Sequence, residues 1–436
     1  MLDLRLIREQ PDTVARALAD KGGGELVQTI LARDAERRRL IKEADDLKAL
    51  RNRTSAELAK YKGSVPEALR AEMRGVGDRV KARDAELKAV DEAIEALLAQ
   101  VPNVPHSSAP PGKSDADNVE VRRWGTPREF AFTPRPHEEV GEALGLLDME
   151  RAVKIAKARF GVLWGPLARL ERAIAQFMLD VQTLERGYTE VWVPHLVNGE
   201  TMLRTGQLPK FEEQLFKTVE ADEGRALYLI PTSEVSLTAL HGGEVLPERT
   251  LPRRYTAFTP CYRREAGTYG RDMKGIFRNH QFDKVELVKL TTADRSWDEL
   301  ELLVNDGEEI LRRLELPYRV VERCIGDLGF SAAKGYDIEV WLPGQGRYRE
   351  ISSCSNYADF GGRRADIRYK PEGGGRPEFC HTLNGSGLAV GRTVIAVLEN
   401  YQESDGTVTI PAAVRSYLPG LDRLTPKASS GPQIQP

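Results

Sequence analysis

Cysteine and histidine are scarce in this sequence, and their scarcity limits the metal and redox chemistry that it can support. The 436 residues include four cysteines and six histidines. The cysteines lie far apart with no CxxC pair, which disfavours a structural zinc site and a disulfide framework and favours a reducing compartment. The histidines show no metal-like cluster, and no Ser–His–Asp or GxSxG arrangement is present. We therefore expect neither structural zinc nor a hydrolase triad.

Long apolar runs and a strong charge imbalance are also lacking. No window approaches the roughly 18 apolar residues of a membrane span, and the opening segment MLDLRLIREQPDTVARAL has no apolar signal core. We therefore expect a cytoplasmic protein without a membrane partner. The net charge is −3, so any binding of nucleic acid must be local rather than the effect of a global basic field. A GxxxxGK[ST] phosphate loop and a strand-linked GxGxxG are absent as well.

A regular heptad-like pattern occupies the N-terminal quarter. Apolar positions with only one polar exception alternate spacings of four and three, which is the pattern of a coiled-coil seam: Leu69, Met73, Val76, Val80, Arg83, Leu87, Val90, Ile94 and Leu97. A weaker version precedes it: Ile30, Leu40, Ala44, Leu47, Thr54, Leu58 and Tyr61. The segment YKGSVP between them is a turn by composition. The two stretches together predict an antiparallel helical hairpin over about 27–100, with helices of roughly 45–50 Å at about 1.5 Å per residue.

The predicted hairpin is asymmetric in charge. Residues 33–62 carry ten Lys or Arg against six Asp or Glu, whereas residues 67–95 carry eight acids against six bases. A charge run is usually a solvated face. A projecting hairpin with one basic helix is also a plausible nucleic-acid arm, and the hairpin alone does not decide between the two.

Beyond a Pro/Ser/Gly-rich linker that begins at Val101, the pattern becomes mixed. A four–three spacing over Leu163–Leu184 predicts a long amphipathic helix, and YTEVWVPHLV predicts a strand with Pro194 at an edge or interface. Later strands are predicted as hairpins at 255–265, 281–290, 336–342 and 347–353. Hairpins in series indicate an antiparallel sheet, and flanking helices indicate an α+β fold.

The hairpin CYRREAGTYGRDMKGIFRNHQFDKVE holds the most concentrated chemistry. Because residues two apart on a strand share a face, Arg263 and Glu265 are expected on one side, and Arg278, Phe282 and Glu286 are expected together. Arginines, an aromatic ring and carboxylates on one face suit a ligand that is anionic, flat and partly cationic. The alternative is a sheet edge protected from aggregation by charge.

Three further segments add groups of related chemistry. In REISSCSN, Glu350 and Ser353 are oxygen ligands suited to Mg²⁺, although their odd spacing would need a bulge or a strand end for a shared metal. In HTLNGSGLAVGRT, a strand runs through small residues into a helix with Arg392 near its start, where phosphate is favoured. In IPTSEVSL, Thr232 and Glu234 lie at a loop and could hold an ammonium group. Taken singly, capping explains Thr232 and Glu234 better, and core packing explains Ser353 better.

In their order along the chain, these segments resemble motifs one, two and three of the class II aminoacyl-tRNA synthetases. TSE, YRRE, GRDMKGIFRNHQFDKVE, EISSCSN and TLNGSGLAVGRT are similar to the bacterial type of seryl-tRNA synthetase. This resemblance implies activation of L-serine by ATP with Mg²⁺, transfer to the 3′ end of tRNA(Ser) and also tRNA(Sec), and a homodimer. It implies an N-terminal tRNA-binding domain at 1–103, a linker at 104–118, a catalytic domain at 119–421 and a disordered tail at 422–436.

The resemblance also assigns roles to individual residues. Serine-binding residues would be Thr232, Ser233, Glu234, Arg263, Glu286 and Ser386. ATP-binding residues would be Arg263, Arg264, Glu265, Arg278, Phe282, Glu350, Ile351, Ser352, Ser353 and Arg392. Arg263 and Arg392 would be catalytic, Phe282 would stack on adenine with Arg392 covering the other side, and Glu350 and Ser353 would bind the metal. On the arm, Arg51, Arg53 and Lys60 are expected to contact tRNA.

The sequence departs from the family pattern at two places. Tyr357 stands where the family commonly has Cys, and Gly361 where it usually has Gln, so local loop detail is less secure than the reaction. Three rival interpretations remain: a class II synthetase for another amino acid such as threonine or proline, a catalytically inactive regulatory protein with the same fold, and a ligase that charges a carrier protein. The last typically lacks the long arm, and an inactive relative would normally have lost the motif arginines.

Overall fold

The computed structural model describes residues 1–60, 63, 66–219, 226–265 and 274–426. It separates into two compact units, residues 1–104 and 105–436. The first unit is helical, and the second contains the sheet, so the α+β class expected from the sequence is confirmed. No described helix has the length and apolar character needed to cross a membrane.

The first unit is built on two long helices. Its helices are α1 (Leu4–Glu9), α2 (Pro11–Ala17), α3 (Leu26–Leu58) and α4 (Glu67–Leu98). The seam of α3 and α4 follows the predicted spacing, with these members buried: Ile30, Leu40, Ala44, Val76, Val80, Val90 and Ile94. Most of the predicted turn YKGSVP, including Tyr61, lies outside the described residues.

Ion pairs across the seam fix the relative direction of the two helices. Arg37 pairs with Asp91 (Nε–Oδ1 2.5 Å), and Lys48, further along α3, pairs with Asp84 (3.0 Å), which lies earlier on α4. As one partner advances the other recedes, so α3 and α4 are antiparallel, as predicted. The polar seam residue Arg83 reaches Glu43 of α3 (3.2 Å).

The second unit alternates short elements with a few long ones. Its strands are β1 (Val119–Trp124), β2 (Leu147–Asp148), β3 (Val162–Leu163), β4 (Thr189–Glu190), β5 (Leu196–Asn198), β6 (Leu227–Leu229), β7 (Val245–Pro247), β8 (Arg253–Tyr262), β9 (Gln281–Thr291), β10 (Tyr318–Glu322), β11 (Lys334–Leu342), β12 (Arg347–Asn356), β13 (Arg368–Lys370), β14 (Glu378–Phe379), β15 (His381–Ala389), β16 (Val408–Thr409) and β17 (Arg423–Leu424). Its helices are α5 (His137–Ala143), α6 (Met149–Ile155), α7 (Pro166–Asp180), α8 (Gly199–Arg204), α9 (Glu234–Ala239), α10 (Ser296–Arg313), α11 (Asp359–Ala365), α12 (Val390–Asn400) and α13 (Ala412–Arg415).

The main described sheet has the order β1-β10-β11-β12-β15-β9-β8-β4. Its neighbours are antiparallel except for β4 beside β8. One face packs on α7, α10 and α12, whose apolar stripes form the main core with the inward side chains of β9 to β12. The central strands β9, β12 and β15 place polar residues on the sheet surface that carries the site.

Three boundaries differ from the sequence-based predictions. Within YTEVWVPHLV, only β4 and the start of β5 are strands; Pro194 lacks an N–H, and its carbonyl instead accepts a hydrogen bond from Ser236 Oγ (2.8 Å). The helix predicted over 163–184 begins at Pro166, and its last turn, 181–185, is π-helical. The tail predicted from 422 is ordered at first, because β17 pairs with β16; residues 427–436 lie outside the described residues.

Candidate active site

The hairpin of β8 and β9 positions the first group of site residues. The strands pair continuously from Arg253↔Leu290 to Tyr262↔Gln281. One residue beyond the last pair, the Arg263 N–H donates to the His280 carbonyl (2.9 Å), and His280 Nδ1 lies 2.9 Å from the Arg263 carbonyl. The backbone of Arg263 is therefore fixed although β8 has ended. Its guanidinium lies over the Phe282 ring at 5.2 Å from the ring centre.

Beyond the strand ends, the simple alternation of faces no longer applies. Glu265 adopts a left-handed backbone conformation (φ 48°), and Arg278 precedes the start of β9. The two side chains nevertheless meet in an ion pair (Nη1–Oε2 3.1 Å). A non-glycine residue with positive φ is uncommon and clusters at functional sites. The segment that connects the two arms, 266–273, lies outside the described residues.

The bulge that a shared metal would require is present in β12. Ile338 of β11 pairs with Ser352, but the next residue, Glu339, pairs with Glu350, so Ile351 is the extra residue. Residues directly opposite across a ladder share a face, and the register therefore puts Glu350 and Ser353 on the same face. Both line the same cavity.

Charge is concentrated around this bulge. Arg392, in the first turn of α12, pairs with the Glu350 carboxylate (3.3 Å) and donates to its carbonyl (2.8 Å). Arg323 donates to Ser353 Oγ (3.1 Å). Desolvation within the cavity opposes ionisation of Glu350, whose side chain is still 48% exposed, but Arg392, Arg323, Arg263 and Arg278 together hold its pKa below the usual value. Glu350 thus remains a carboxylate that can serve as a cation ligand.

Asp337 of β11 lies opposite Ser353, and its pKa is shifted in the opposite direction to that of Glu350. Burial raises the pKa of Asp337 to about 7, and the nearby Glu350 adds to this effect against the attraction of Arg323. Two like charges in a confined space repel each other. One carboxylate is therefore expected to stay charged while its neighbour becomes protonated near neutral pH.

A second group of residues forms a compact polar pocket. Lys284 of β9 donates to Thr232 Oγ1 (2.7 Å) and pairs with the Glu286 carboxylate, both side chains being buried. Glu286 lies directly opposite Ser386 of β15. Asn384, two residues earlier on β15, donates to Glu286 Oε1 (3.3 Å) and also to the Glu234 carboxylate (3.1 Å).

Glu234 is the most perturbed carboxylate of this pocket. It is the first residue of α9 rather than a loop residue. Burial, and after it the charge of Glu286, raise the pKa of Glu234 to about 7, although Lys284, a hydrogen bond from Tyr357 and Arg263 oppose the increase. A buried carboxylate with a pKa shifted by burial and specific partners, in a cleft, is typical of a functional site.

The two groups open into one cavity of about 1090 Å³. Among the residues predicted from the sequence, those that line it are Thr232, Glu234, Arg263, Glu265, Arg278, Phe282, Glu286, Glu350, Ile351, Ser353, Ser386 and Arg392. Ser233, Arg264 and Ser352 do not line it: Ser233 is fully buried, Arg264 is exposed, and Ser352 donates to the Ser386 carbonyl (2.7 Å). Arg392 lies over Phe277 (4.6 Å from its ring centre), whereas Arg263 lies over Phe282.

Several polar atoms on the cavity wall have no hydrogen-bond partner among the described residues. Apart from Glu286 Oε2, whose carboxylate forms an ion pair with Lys284, they are Arg278 Nε, Asn279 Oδ1, Asp337 Oδ1, Tyr348 Oη and Asn384 Oδ1. Leaving a buried polar atom unpaired costs about 1–3 kcal/mol. Such atoms concentrated on one wall indicate a surface built for a polar ligand.

Sequence reasoning missed several residues of this wall. Lys284 could have been found, since it stands two residues from both Phe282 and Glu286 on the same strand face. Asn384 stands two residues before Ser386 in the same way. Arg323 carried no signal, because its place beside Ser353 depends on the order of β10, β11 and β12 in the sheet.

The donor set fits a hard cation better than zinc. Glu350 and Ser353 offer oxygen ligands from one face, and Mg²⁺ usually takes one or two carboxylates together with ligand phosphates. Within the described part of the chain, no group of three or more His, Cys, Asp or Glu residues is arranged to hold a metal ion. The four cysteines are free and buried.

Comparison with known proteins identifies the lineage of this site. Residues 1–105 match the seryl-tRNA synthetase N-terminal domain, and residues 216–401 match the class II tRNA synthetase core domain (G, H, P, S and T). A serine–tRNA ligase of Nitratidesulfovibrio vulgaris is 54% identical over 98% of this chain and 100% of its own length. The chain belongs to the seryl-tRNA synthetase family.

Two further relatives match nearly the whole chain and support the same family. A serine–tRNA ligase of Thermotoga neapolitana is 53% identical over 96% of this chain and 98% of its own. The crystal structure of seryl-tRNA synthetase from Pyrococcus horikoshii complexed with ATP superposes with a TM-score of 0.91 at 37% identity, covering 98% of this chain and 100% of that one. This synthetase therefore has the family's arm and class II core.

A more distant solved structure resembles only part of the chain. Prolyl-tRNA synthetase of Giardia lamblia has a TM-score of 0.56 at 16% identity, over 64% of this chain and 55% of that one. At that identity the likeness shows the fold alone. The full-length relatives named serine–tRNA ligase exclude the rival interpretation as a threonine or proline enzyme, and the family's activity makes this chain an aminoacyl-tRNA ligase.

Proposed function

We propose that this chain activates L-serine with ATP in its cavity and then transfers the serine to the 3′ end of tRNA(Ser). The observation that carries the proposal is the meeting of two unlike groups in one cavity. One group is cationic and surrounds Glu350; the other is a buried carboxylate pocket at Glu234 and Glu286. The first suits a nucleotide triphosphate, and the second suits a small amino acid.

The amino-acid end follows from the charges of the small pocket. The Glu234 carboxylate, with Thr232 beside it, would hold the serine ammonium. Glu286 and Ser386 face each other across β9 and β15 and would read the hydroxyl. A site that hydrogen-bonds a hydroxyl rejects an analogue without it by roughly 10⁴, so alanine should be nearly inert, while the extra methyl of threonine would be excluded by crowding.

The nucleotide end follows from the arginines. Arg263 lies between the pocket and Phe282 and would contact both the serine carboxylate and the α-phosphate. Charge that develops at phosphorus would then meet a fixed guanidinium, which is the main source of catalysis in such transfers. Arg278 and Arg392 would bind the γ-phosphate, Glu265 the adenine amino group, and Phe282 the adenine ring.

Mg²⁺ would enter with the ATP phosphates and be held by Glu350 and Ser353. When bound, it would neutralise phosphate charge during adenylation. The protein's own part is to keep Glu350 ionised, through its arginines, and to keep Ser353 on the same face, through the bulge at Ile351. The backbone of Ile351 and Ser352 would complete the wall beside the nucleotide.

The arm and two exposed apolar residues, Leu184 and Trp192, suggest the larger partners. Arg51 and Arg53 are exposed on α3, and Lys60 is exposed just beyond its end. All three would contact the RNA backbone of tRNA(Ser), and of tRNA(Sec) where a host makes it. Leu184 and Trp192 are 80% and 87% exposed, which suits burial in a homodimer interface. A cytoplasmic location agrees with the scattered free cysteines and with action on tRNA.

The decisive experiment is ATP–pyrophosphate exchange with each of the twenty amino acids. We expect exchange with serine only, dependent on Mg²⁺ and unaffected by zinc-selective chelation. Faster exchange with threonine or proline would contradict the assignment of the pocket. Stoichiometric zinc that is lost together with activity would contradict the assignment of the metal.

A further inference from the structure

Tyr357, one of the two departures from the family pattern, lies on the wall of the amino-acid pocket. It follows β12 directly and lines both the main cavity and a small cavity behind it, where Glu234 and Gly361 are its neighbours. Its hydroxyl is hydrogen-bonded to the Glu234 carboxylate, and burial together with that carboxylate raises the pKa of the phenol well above its usual value. The phenol is therefore the donor in this bond.

The backbone holds Tyr357 rigidly in this position. Its N–H donates to the Thr382 carbonyl (2.9 Å), and its own carbonyl accepts from the Phe360 N–H (3.2 Å). The next residue, Ala358, has a positive φ of 50°, and its N–H is held by Asn356 Oδ1 (2.7 Å). A side chain on so fixed a backbone can orient another group at little entropic cost.

Gly361, the second departure from the family pattern, has no side chain that could contact Glu234. A Cβ at Gly361 would collide with the side chain of Thr382. Residue 361 therefore cannot extend a side chain toward Glu234 unless Thr382 moves. Of the described groups, the Tyr357 phenol and the Asn384 amide are the uncharged side chains that donate to Glu234.

We propose that the Tyr357 hydroxyl positions the Glu234 carboxylate for the amino-acid ammonium and thereby sets the affinity for serine. The proposal rests on the proposed function, since it assumes that Glu234 holds the ammonium. Besides Asn384, whose amide donates to the carboxylate, the groups that face Glu234 are Glu286, Lys284, Tyr357 and Arg263. Of these, Tyr357 combines a direct hydrogen bond with no charge of its own, so its removal changes the carboxylate without changing the net charge of the pocket.

The test is Tyr357→Phe, assayed by serine-dependent ATP–pyrophosphate exchange. A hydrogen bond to a charged group contributes about 1.5–3 kcal/mol, so the KM for serine should rise about tenfold or more while the KM for ATP stays the same. Because the bond favours the ionised form of Glu234, the acid limb of kcat/KM for serine should move to higher pH. An unchanged serine KM, or equal losses for serine and ATP, would overturn the proposal.

Two controls separate this role from a structural one. Tyr369→Phe removes a similar phenol–carboxylate bond, to Glu378 (2.6 Å), outside the cavity, and should leave both KM values unchanged. In a Glu234→Gln background, Tyr357→Phe should add little further loss, because the two side chains act as a unit; full additivity would contradict the proposal. Serine-specific exchange by the unmodified enzyme tests the proposed function separately, since it does not depend on Tyr357.

Discussion

The arm and the cavity use charged residues in opposite ways. On the arm, charges lie at the surface and pair across a seam, as Lys48 and Asp84 do with 41% and 48% of their side chains exposed. In the cavity, Lys284 and Glu286 pair with 8% and 1% exposed. Exposed pairs contribute about 0–1 kcal/mol, whereas breaking a buried pair costs about 3–5 kcal/mol. The exposed charges of the arm, unlike its buried Asp34, can therefore vary with little effect on folding, whereas the buried charges of the cavity cannot.

The largest expected difference comes from matched lysine substitutions. Lys284→Met should lower the free energy of unfolding by about 3–5 kcal/mol, because it leaves Glu286 buried without a cation. Lys48→Met should change it by less than about 1 kcal/mol. The five tryptophans all lie in 105–436, so their fluorescence during urea unfolding follows that unit, and far-UV circular dichroism adds the arm helices. Equal effects of the two substitutions would mean that the cavity pair and the arm pair contribute equally to stability.

The next effect concerns catalysis. Arg263→Ala should reduce serine-dependent exchange by about 10²–10³, since one charge-stabilising contact is lost in the transition state. Arg263→Lys should restore little, because an ammonium cannot reproduce a bidentate guanidinium. Tryptophan fluorescence should report an intact fold. Exchange at the original rate would mean that the β8–β9 hairpin is only a charged sheet edge.

Replacing residues 35–97 with a short flexible linker should separate the two activities. The hydrophobic clusters of 105–436 are formed by residues of that unit, so exchange should persist. Aminoacylation of tRNA(Ser) should fall by on the order of 10² in kcat/KM, as expected for the loss of two or more charged contacts to phosphate. Equal charging by both forms would exclude the arm from tRNA binding.

The smallest effects are expected from single charge reversals on α3 and just beyond its end. Arg51→Glu, Arg53→Glu and Lys60→Glu should each weaken tRNA binding severalfold and flatten its log–log salt dependence by roughly 0.7–0.9, about one phosphate contact. A matched reversal on the acidic helix, Lys88→Glu, is the control and should change neither. If all four variants behave alike, the basic excess of α3 is a solvated face.

The sequence predicted the parts of the molecule that depend on local periodicity. The spacing of Val76, Val80, Val90 and Ile94 predicted α4, because a helical period fixes which side chains share a face. It also predicted the hairpin strands, whose residues alternate regularly. The same rule failed at Glu265, which lies past the end of β8 with a positive φ, and at Pro194, where the chain leaves the sheet.

The site residues that belong to sequence motifs could be predicted, whereas those placed by the order of strands could not. Arg263, Glu286 and Arg392 stand in segments with a recognisable pattern, and the structure brings them to one cavity. Arg323 and Asp337 reach it through the order of strands in the sheet, which no local pattern encodes. Tyr357 was noted as a departure from the family, but its contact with Glu234 joins residues from two distant segments and required the fold.

The extra residue at Ile351 determines that Glu350 and Ser353, three positions apart in the sequence, share one face of β12. Removing that residue would restore a regular ladder in which Glu350 and Ser353 keep their partners, Glu339 and Asp337. The two side chains would still share a face, but the bend and the added twist that a bulge gives to a strand would be lost. Substitution at 351 therefore keeps the bulge, whereas deletion would change the directions in which Glu350 and Ser353 point although neither residue had been altered.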